Sequence, residues 1–306
     1  MNEVISIFAL IIIGAVAAFS QQTKAVFYQQ LAWSPDGKTL SFTAMSDYDE
    51  KTDEYRTGVF TFDIKNSRLK KISGAAKHAF SPAWSPDGKR IFFGADTAHE
   101  KESNIFSVKN DGSDLIQLTK QSGKNTAPDV SPDGKKIVFM SARNGEKYQI
   151  YLMNADGSSQ KKLTTDSNIS FCNPVWSKDG KRIVYYSDKG DGKDQIWIMN
   201  ADGTDQKLLT GGIGHNIFPS FSPDGKRIIF SRRDDKDVQK SYVDASFLFT
   251  INTNGSKLTK LSDINSFFTR FSPDGKRMAF IMGKFPANAI YTADANGTNI
   301  KKLALD

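Results

Sequence analysis

Ser34-Pro35-Asp36-Gly37-Lys38 opens a phrase that begins again at Ser85, Ser131, Ser177, Ser222 and Ser272, at intervals of 51, 46, 46, 45 and 50 residues. The fourth copy sits within Pro174-Val175-Trp176-Ser177-Lys178-Asp179-Gly180-Lys181-Arg182-Ile183-Val184-Tyr185-Tyr186. An apolar run enters a Ser-x-Asp-Gly turn, and a β-branched, aromatic run leaves it. That is the pattern of a β-hairpin with glycine at the positive-φ position. In five of the six copies proline follows the serine and pre-sets the backbone for the turn. Gln195–Met199 then reads as a third strand, Asn200-Ala201-Asp202-Gly203 as a second turn, and Lys207–Thr210 as a fourth strand. Units of about 40–50 residues built from short strands are the mark of propeller blades. The expected fold is all-β, a six-bladed β-propeller with four antiparallel strands per blade. Its blades span about 27–74, 75–120, 121–165, 166–211, 212–263 and 264–306.

Aligning the six units exposes columns of large side chains. Eight residues after the repeat serine stand Phe42, Phe93, Phe139, Tyr185, Phe230 and Phe280; one residue before it stand Trp33, Trp84, Val130, Trp176, Phe221 and Phe271. Groups of this size at one place per blade are expected to fill the seams between neighbours. The phrases Trp84–Ile91 (Trp-Ser-Pro-Asp-Gly-Lys-Arg-Ile) and Ile150–Gly157 (Ile-Tyr-Leu-Met-Asn-Ala-Asp-Gly) resemble the repeats of TolB-type, WD40-like PD40 propellers, and the resemblance runs from Leu31 to Leu305. It implies the six-bladed fold. It leaves the function to the site, because one blade type serves unrelated roles. In TolB an α/β domain precedes the propeller; the first turn at Ser34 leaves no room for one, so this chain is expected to lack it.

Val4–Phe19 is a nearly unbroken apolar run followed by Ser20-Gln21-Gln22. Small residues at Ala18 and Ser20 suit a signal-peptidase site after Ser20, and the run is short of a spanning helix. The expected organisation is a signal peptide over 1–20 and a propeller over 21–306, exported to the periplasm or beyond, with no transmembrane span after cleavage. An uncleaved anchor is the alternative. Cys172 is the single cysteine, so no internal disulfide is expected. The net charge of +7 does not read as nucleic-acid binding: eleven of the 41 Lys and Arg sit at the repeated turn, spread around a ring rather than clustered.

Four antiparallel strands put the first and third hairpin turns of every blade on one rim, and that rim is monotonous. The opposite rim, made of second-to-third-strand loops and inter-blade connectors, is where the sequence diversifies, and variable loops on a rigid scaffold are where recognition is expected. Asp49, Tyr55 and Arg56 lie in the blade 1 insertion, with His99, Arg143 and Arg232 in later loops. Seven residues before the repeat serine, His78 and His215 occupy equivalent places in the opposed blades 2 and 5. With Asn125, Phe171, Asn216, Phe267, Phe268 and Arg270 they are expected to ring the channel mouth as a partner-binding collar. The turn aspartates read as turn formers rather than calcium ligands.

No Gly-x-Ser-x-Gly, His-Glu-x-x-His, Cys-x-x-Cys, P-loop or Gly-x-Gly-x-x-Gly occurs. No catalytic residue, metal site or cofactor is therefore expected. The reading is a monomeric, non-catalytic platform that holds an envelope or extracellular protein segment, or a polysaccharide, on the loop and connector face. The alternative is a polysaccharide lyase or glycosidase at the channel mouth, since a carboxylate pair needs no sequence motif. Pectic-oligosaccharide lyases resemble the chain in blade sequence, but their metal-bound His cluster has no match among His78, His99 and His215.

Overall fold

Each Ser-x-Asp-Gly turn closes in the same way. The serine hydroxyl donates to the aspartate Oδ1 at 2.6 Å in all six copies, from Ser34–Asp36 to Ser272–Asp274. That Oδ1 also accepts the amide two residues on, from Lys38 through Lys276, at 3.0–3.1 Å. The serine hydroxyl, the strongest of these donors, holds every turn carboxylate below its usual range. Glycine then takes φ between 67° and 72°, a conformation costly for any residue with a Cβ. All of these partners lie within five residues, so the chain can build each hairpin locally.

In the computed structural model, residues 26–49, 54–97, 102–120, 123–143, 145, 147–189, 192–237, 245–263, 265–284 and 287–305 are described. They form six four-stranded antiparallel sheets. Blade 1 is β1 (Phe27–Trp33), β2 (Thr39–Asp49), β3 (Glu54–Asp63) and β4 (Arg68–Lys71). Blade 2 is β5 (Lys77–Trp84), β6 (Arg90–Asp96), β7 (Ser103–Lys109) and β8 (Ile116–Gln117). Blade 3 is β9 (Asn125–Val130), β10 (Lys136–Ser141), β11 (Gln149–Asn154) and β12 (Lys161–Lys162). Blade 4 is β13 (Phe171–Trp176), β14 (Arg182–Ser187), β15 (Gln195–Asn200) and β16 (Lys207–Leu208). Blade 5 is β17 (His215–Phe221), β18 (Arg227–Arg233), β19 (Ser246–Asn252) and β20 (Thr259–Lys260), with a 3₁₀ turn at Asp235–Asp237. Blade 6 is β21 (Phe267–Phe271), β22 (Arg277–Lys284), β23 (Ala287–Asp294) and β24 (Lys301–Lys302).

The first strands β1, β5, β9, β13, β17 and β21 touch in a closed cycle, β21 returning to β1, and line the centre. Every sheet pairs in chain order, so among the described residues the ring closes without exchanging a strand. Side chains hold that last seam instead. The Tyr28 amide donates to Asn288 Oδ1 at 2.7 Å, and Asn288 Nδ2 returns a bond to the Tyr28 carbonyl at 2.9 Å. Arg277 donates to the Gly37 carbonyl at 2.7 Å with its guanidinium 4.9 Å from the Trp33 ring centre.

The aromatic column lies where the seams are. Phe93 packs with Val59 and Ile72 of blade 1, Phe139 with Phe92 and Ile105 of blade 2, and Tyr185 with Val138 and Leu163 of blade 3. Within its own blade each ring of the column also faces an aromatic across the register, as in Phe42 with Phe60 and Phe230 with Phe249. One column therefore serves both cross-strand pairing and blade-to-blade packing.

Candidate functional site

The innermost strands share one irregularity. Four residues before the repeat serine, Gln30, Ser81, Ala127, Asn173, Phe218 and Phe268 all take φ between 48° and 57°. A register shift accompanies each, for example between Gln29 and Ala32 and between Phe267 and Arg270. Such a bulge re-aims the side chains that follow it. Successive repeat positions consequently stack as rings down the channel.

Those rings enclose a cavity of about 320 Å³, within the range of small-ligand sites. Its floor is the bulge layer of Gln30, Ser81, Ala127, Asn173 and Phe268. Its wall is the column two residues before the serine, namely Ala32, Ala83, Asp129, Val175, Ser220 and Arg270. Trp33, Trp84, Trp176 and Phe271 come next, and Pro35, Pro86, Pro132, Lys178 and Pro273 of the turns form the lip. The lip is itself a packed ring: Pro35 sits over Gly88 of the next blade, Pro86 over Gly134, Pro132 over Gly180, Pro223 over Gly275 and Pro273 over Gly37. Lys178 replaces the proline in blade 4, and Gly225 opposite it meets open space. The cavity thus opens on the monotonous rim.

Asp129 and Arg270 stand on opposed blades 3 and 6 at the same repeat position. The Trp176 amide donates to Asp129 Oδ2 at 2.7 Å. Burial pushes the Asp129 carboxyl up to about 6 against the pull of that bond and of Arg270, and it lowers the Arg270 guanidinium, which stays charged. Arg270 donates to the Thr269 carbonyl at 3.1 Å, and its own carbonyl accepts from Trp33 Nε1 at 3.1 Å. Gln30 Nε2, Ser81 Oγ and Asn173 Oδ1, on floor residues more than nine-tenths buried, have no hydrogen-bond partner among the described residues.

The raised Asp129 carboxyl fixes a pH dependence. Between pH 3.8, its ordinary value, and about 6 the folded chain keeps a proton that the unfolded chain has released. Its contribution to stability is therefore complete below that window and is lost as pH rises through it, by at most about 3 kcal/mol, less because cavity water reaches the group. Asp129→Asn keeps an acceptor for the Trp176 amide. Denaturant unfolding should show it gaining stability over wild type at pH 7 relative to pH 4; an equal difference at both would refute the assignment. The turn aspartates slope the other way, but in both proteins alike.

The residues singled out from the sequence divide. Phe268 and Arg270 belong to the cavity. Asn125, Phe171, Asn216 and Phe267 are at most 1% exposed and turn into the blades. Asn125 donates to the Ser103 carbonyl and accepts from Ser141 Oγ and Arg143 Nη2, while Asn216 donates to Gln195 Oε1 at 3.0 Å. Arg143 is held by Ser141 and Gln160, with its guanidinium 4.5 Å from the Tyr151 ring centre; Arg232 is buried with its guanidinium 5.0 Å from that of Phe249. His215 Nδ1 stands 3.3 Å from Asp194 Oδ2. Nearby, burial raises the Asp188 carboxyl, with Asp194 adding to the effect, and burial also raises the Cys172 thiol. His78 is half-buried at φ 44°. Asp49, Tyr55 and Arg56 fall in the β2–β3 hairpin. His99 lies outside the described residues. Among the described residues no group of three or more His, Cys, Asp or Glu is placed to hold a metal ion.

Asp129 and the orphaned floor groups were not singled out from the sequence. The signal was in the column two before the serine, which reads Ala, Ala, Asp, Val, Ser, Arg and carries two opposite charges among small residues.

A six-bladed β-propeller is the class that fold and repeat define. The chain belongs to the TolB beta propeller domain family (PD40), whose model matches residues 28–269. It is similar to a structure described as TolB from Agrobacterium tumefaciens (21% identity, TM-score 0.68), over 81% of this chain and 88% of that one. TolB from Acinetobacter baumannii is matched at 22% identity and TM-score 0.68, over 92% of this chain and 63% of that one. These identities establish a shared fold. Among curated proteins, dipeptidyl-peptidase 5 of Porphyromonas gingivalis is 41% identical over 64 residues, which are 21% of this chain and 9% of the peptidase. No helix among the described residues is long and apolar enough to cross a membrane.

Proposed function

We propose that this propeller is an exported, non-catalytic binding platform that takes up a segment of an envelope or extracellular protein. The observation that carries the reading is the channel cavity, a concave site with charges on opposed walls and polar floor groups lacking partners. The sequence points to the loop and connector face, but the collar residues Asn125, Phe171, Asn216 and Phe267 are spent on packing and inter-strand bonds. The turn-side mouth is therefore the docking face in this reading. Export rests on the apolar segment before Ser20, which lies outside the described residues.

Ala127→Phe tests it. Phe218 and Phe268 already occupy this bulge position at φ 55° and 52°, so the backbone accepts the ring, which would fill the cavity floor. Cross-linking from the exposed Lys178 amine in envelope extract should trap a protein segment with wild type and lose it with Ala127→Phe. If neither traps a protein and the chain instead cleaves an oligosaccharide, the enzyme reading replaces this one.

A further inference from the structure

The cavity ends inside the ring. Its lining stops at the bulge layer, where the Phe218 and Phe268 rings meet with centroids 3.9 Å apart and Tyr186 abuts Phe218 at 5.9 Å. Both phenylalanines are at most 7% exposed. A chain entering from the turn side meets this stop and cannot thread through, so the geometry suits a chain end.

Charge selects which end. Lys178 stands exposed at the lip, Arg270 lies deeper, and Asp129 is the one carboxylate among the described residues of the lining. Among the described residues the Arg270 side chain donates to the Thr269 carbonyl and is attracted to Asp129 across the cavity without a close ion pair. Asp129 is still largely ionised at neutral pH, but Lys178 and Arg270 outnumber it in the lining, so the cavity favours an anion. A guanidinium fork matches a planar carboxylate with two parallel bonds. In the floor, Gln30 Nε2 is a donor and Asn173 Oδ1 an acceptor that are buried and lack partners among the described residues. An extended main chain supplies one of each per residue. Trp33 and Trp84 give the wall the aromatic character of grooves that dock extended segments.

We propose that the cavity receives the free C-terminal end of an extended peptide and anchors its α-carboxylate on Arg270. This rests on the platform reading and specifies what part of the partner enters. Lys178 then meets acidic or carbonyl groups further up the segment, and Asp129 accepts a peptide N–H from the opposite wall.

The test uses random heptapeptides with free C-termini, selected on the full chain and remeasured by fluorescence polarisation. Converting the terminal acid to a carboxamide should weaken binding by about tenfold or more, the effect of losing a charge-assisted pair. Arg270→Gln should bring the free acid down to the level of the amide and leave the amide unchanged. Should Arg270→Gln fail to fold, the acid-to-amide comparison on wild type still decides. Peptides that bind equally as acid and amide would overturn the anchor and leave the platform intact. Sensitivity to Asp or Glu within the peptide, rather than to its end, would overturn it too. Selection of no peptide by the folded chain would overturn both readings, and binding of an oligouronide alone would do the same.

Discussion

Phe139→Ala is expected to lower the unfolding free energy by about 3–5 kcal/mol, the range for truncating a buried phenylalanine. The ring has no exposed surface. It packs with Phe92 and Ile105 of the preceding blade and lies with its centroid 5.8 Å from that of Tyr151 and 5.4 Å from the Arg143 guanidinium. Its loss opens a void between two blades and removes a surface on which Arg143 rests. The surroundings belong to two sheets pinned by their own hydrogen-bond ladders, so they can collapse into the void only in part. Phe139→Leu should cost distinctly less. Urea unfolding followed by tryptophan fluorescence measures both, and a loss under about 1 kcal/mol for the alanine variant would show that the seams do not carry the stability assigned to them.

Gly157→Ala should be the most damaging of the turn-glycine substitutions. Gly157 takes φ 88°, and a Cβ there would stand 2.5 Å from the Leu118 carbonyl oxygen of the neighbouring blade. The left-handed conformation costs about 1–2 kcal/mol for an L-residue, and overpacking against backbone adds about 1–3. Gly225→Ala is the matched control. Its φ of 67° is also left-handed, but a Cβ would meet nothing within 4 Å because Lys178 stands where the other seams have proline. The two variants should differ by about 1–3 kcal/mol in denaturant unfolding, chiefly the overpacking part. Equal losses would mean that the third turn of blade 3 moves freely over blade 2.

These two sites differ in how far the sequence announces them. Gly157 and Gly225 belong to local turns whose hydrogen bonds span a few residues, so Asp-Gly at a fixed offset is enough to place both at positive φ. That Gly157 presses on Leu118 and Gly225 on nothing is a property of the seams. The aromatic column is legible by period alone, and its seam position follows from the need to bury large rings once per blade. The candidate site was much less legible. Sequence divergence drew the reading to the loop and connector rim, yet divergence there includes residues such as Asn125 and Arg143 that brace one blade internally. The cavity lies beneath the rim that repeats, where small residues at Ala32, Ala83 and Ser220 leave space and two charges depart from the column.

By itself, the sequence determined what is local or periodic: the six hairpin turns, the four-stranded unit, the aromatic column and the count of blades. Each rests on contacts within a few residues or on one pattern repeated at a fixed interval, which a linear reading contains in full. Only the tertiary structure decided that, among the described residues, the ring closes through Asn288, Arg277 and Trp33 rather than by exchanging a strand. It alone decided that Phe218 and Phe268 meet to stop the channel and that Asp129 and Arg270 face one another across it. Those relations join residues from separate blades, and no local term encodes them; they exist because closing the ring brings every copy of one repeat position to the same depth around a common axis.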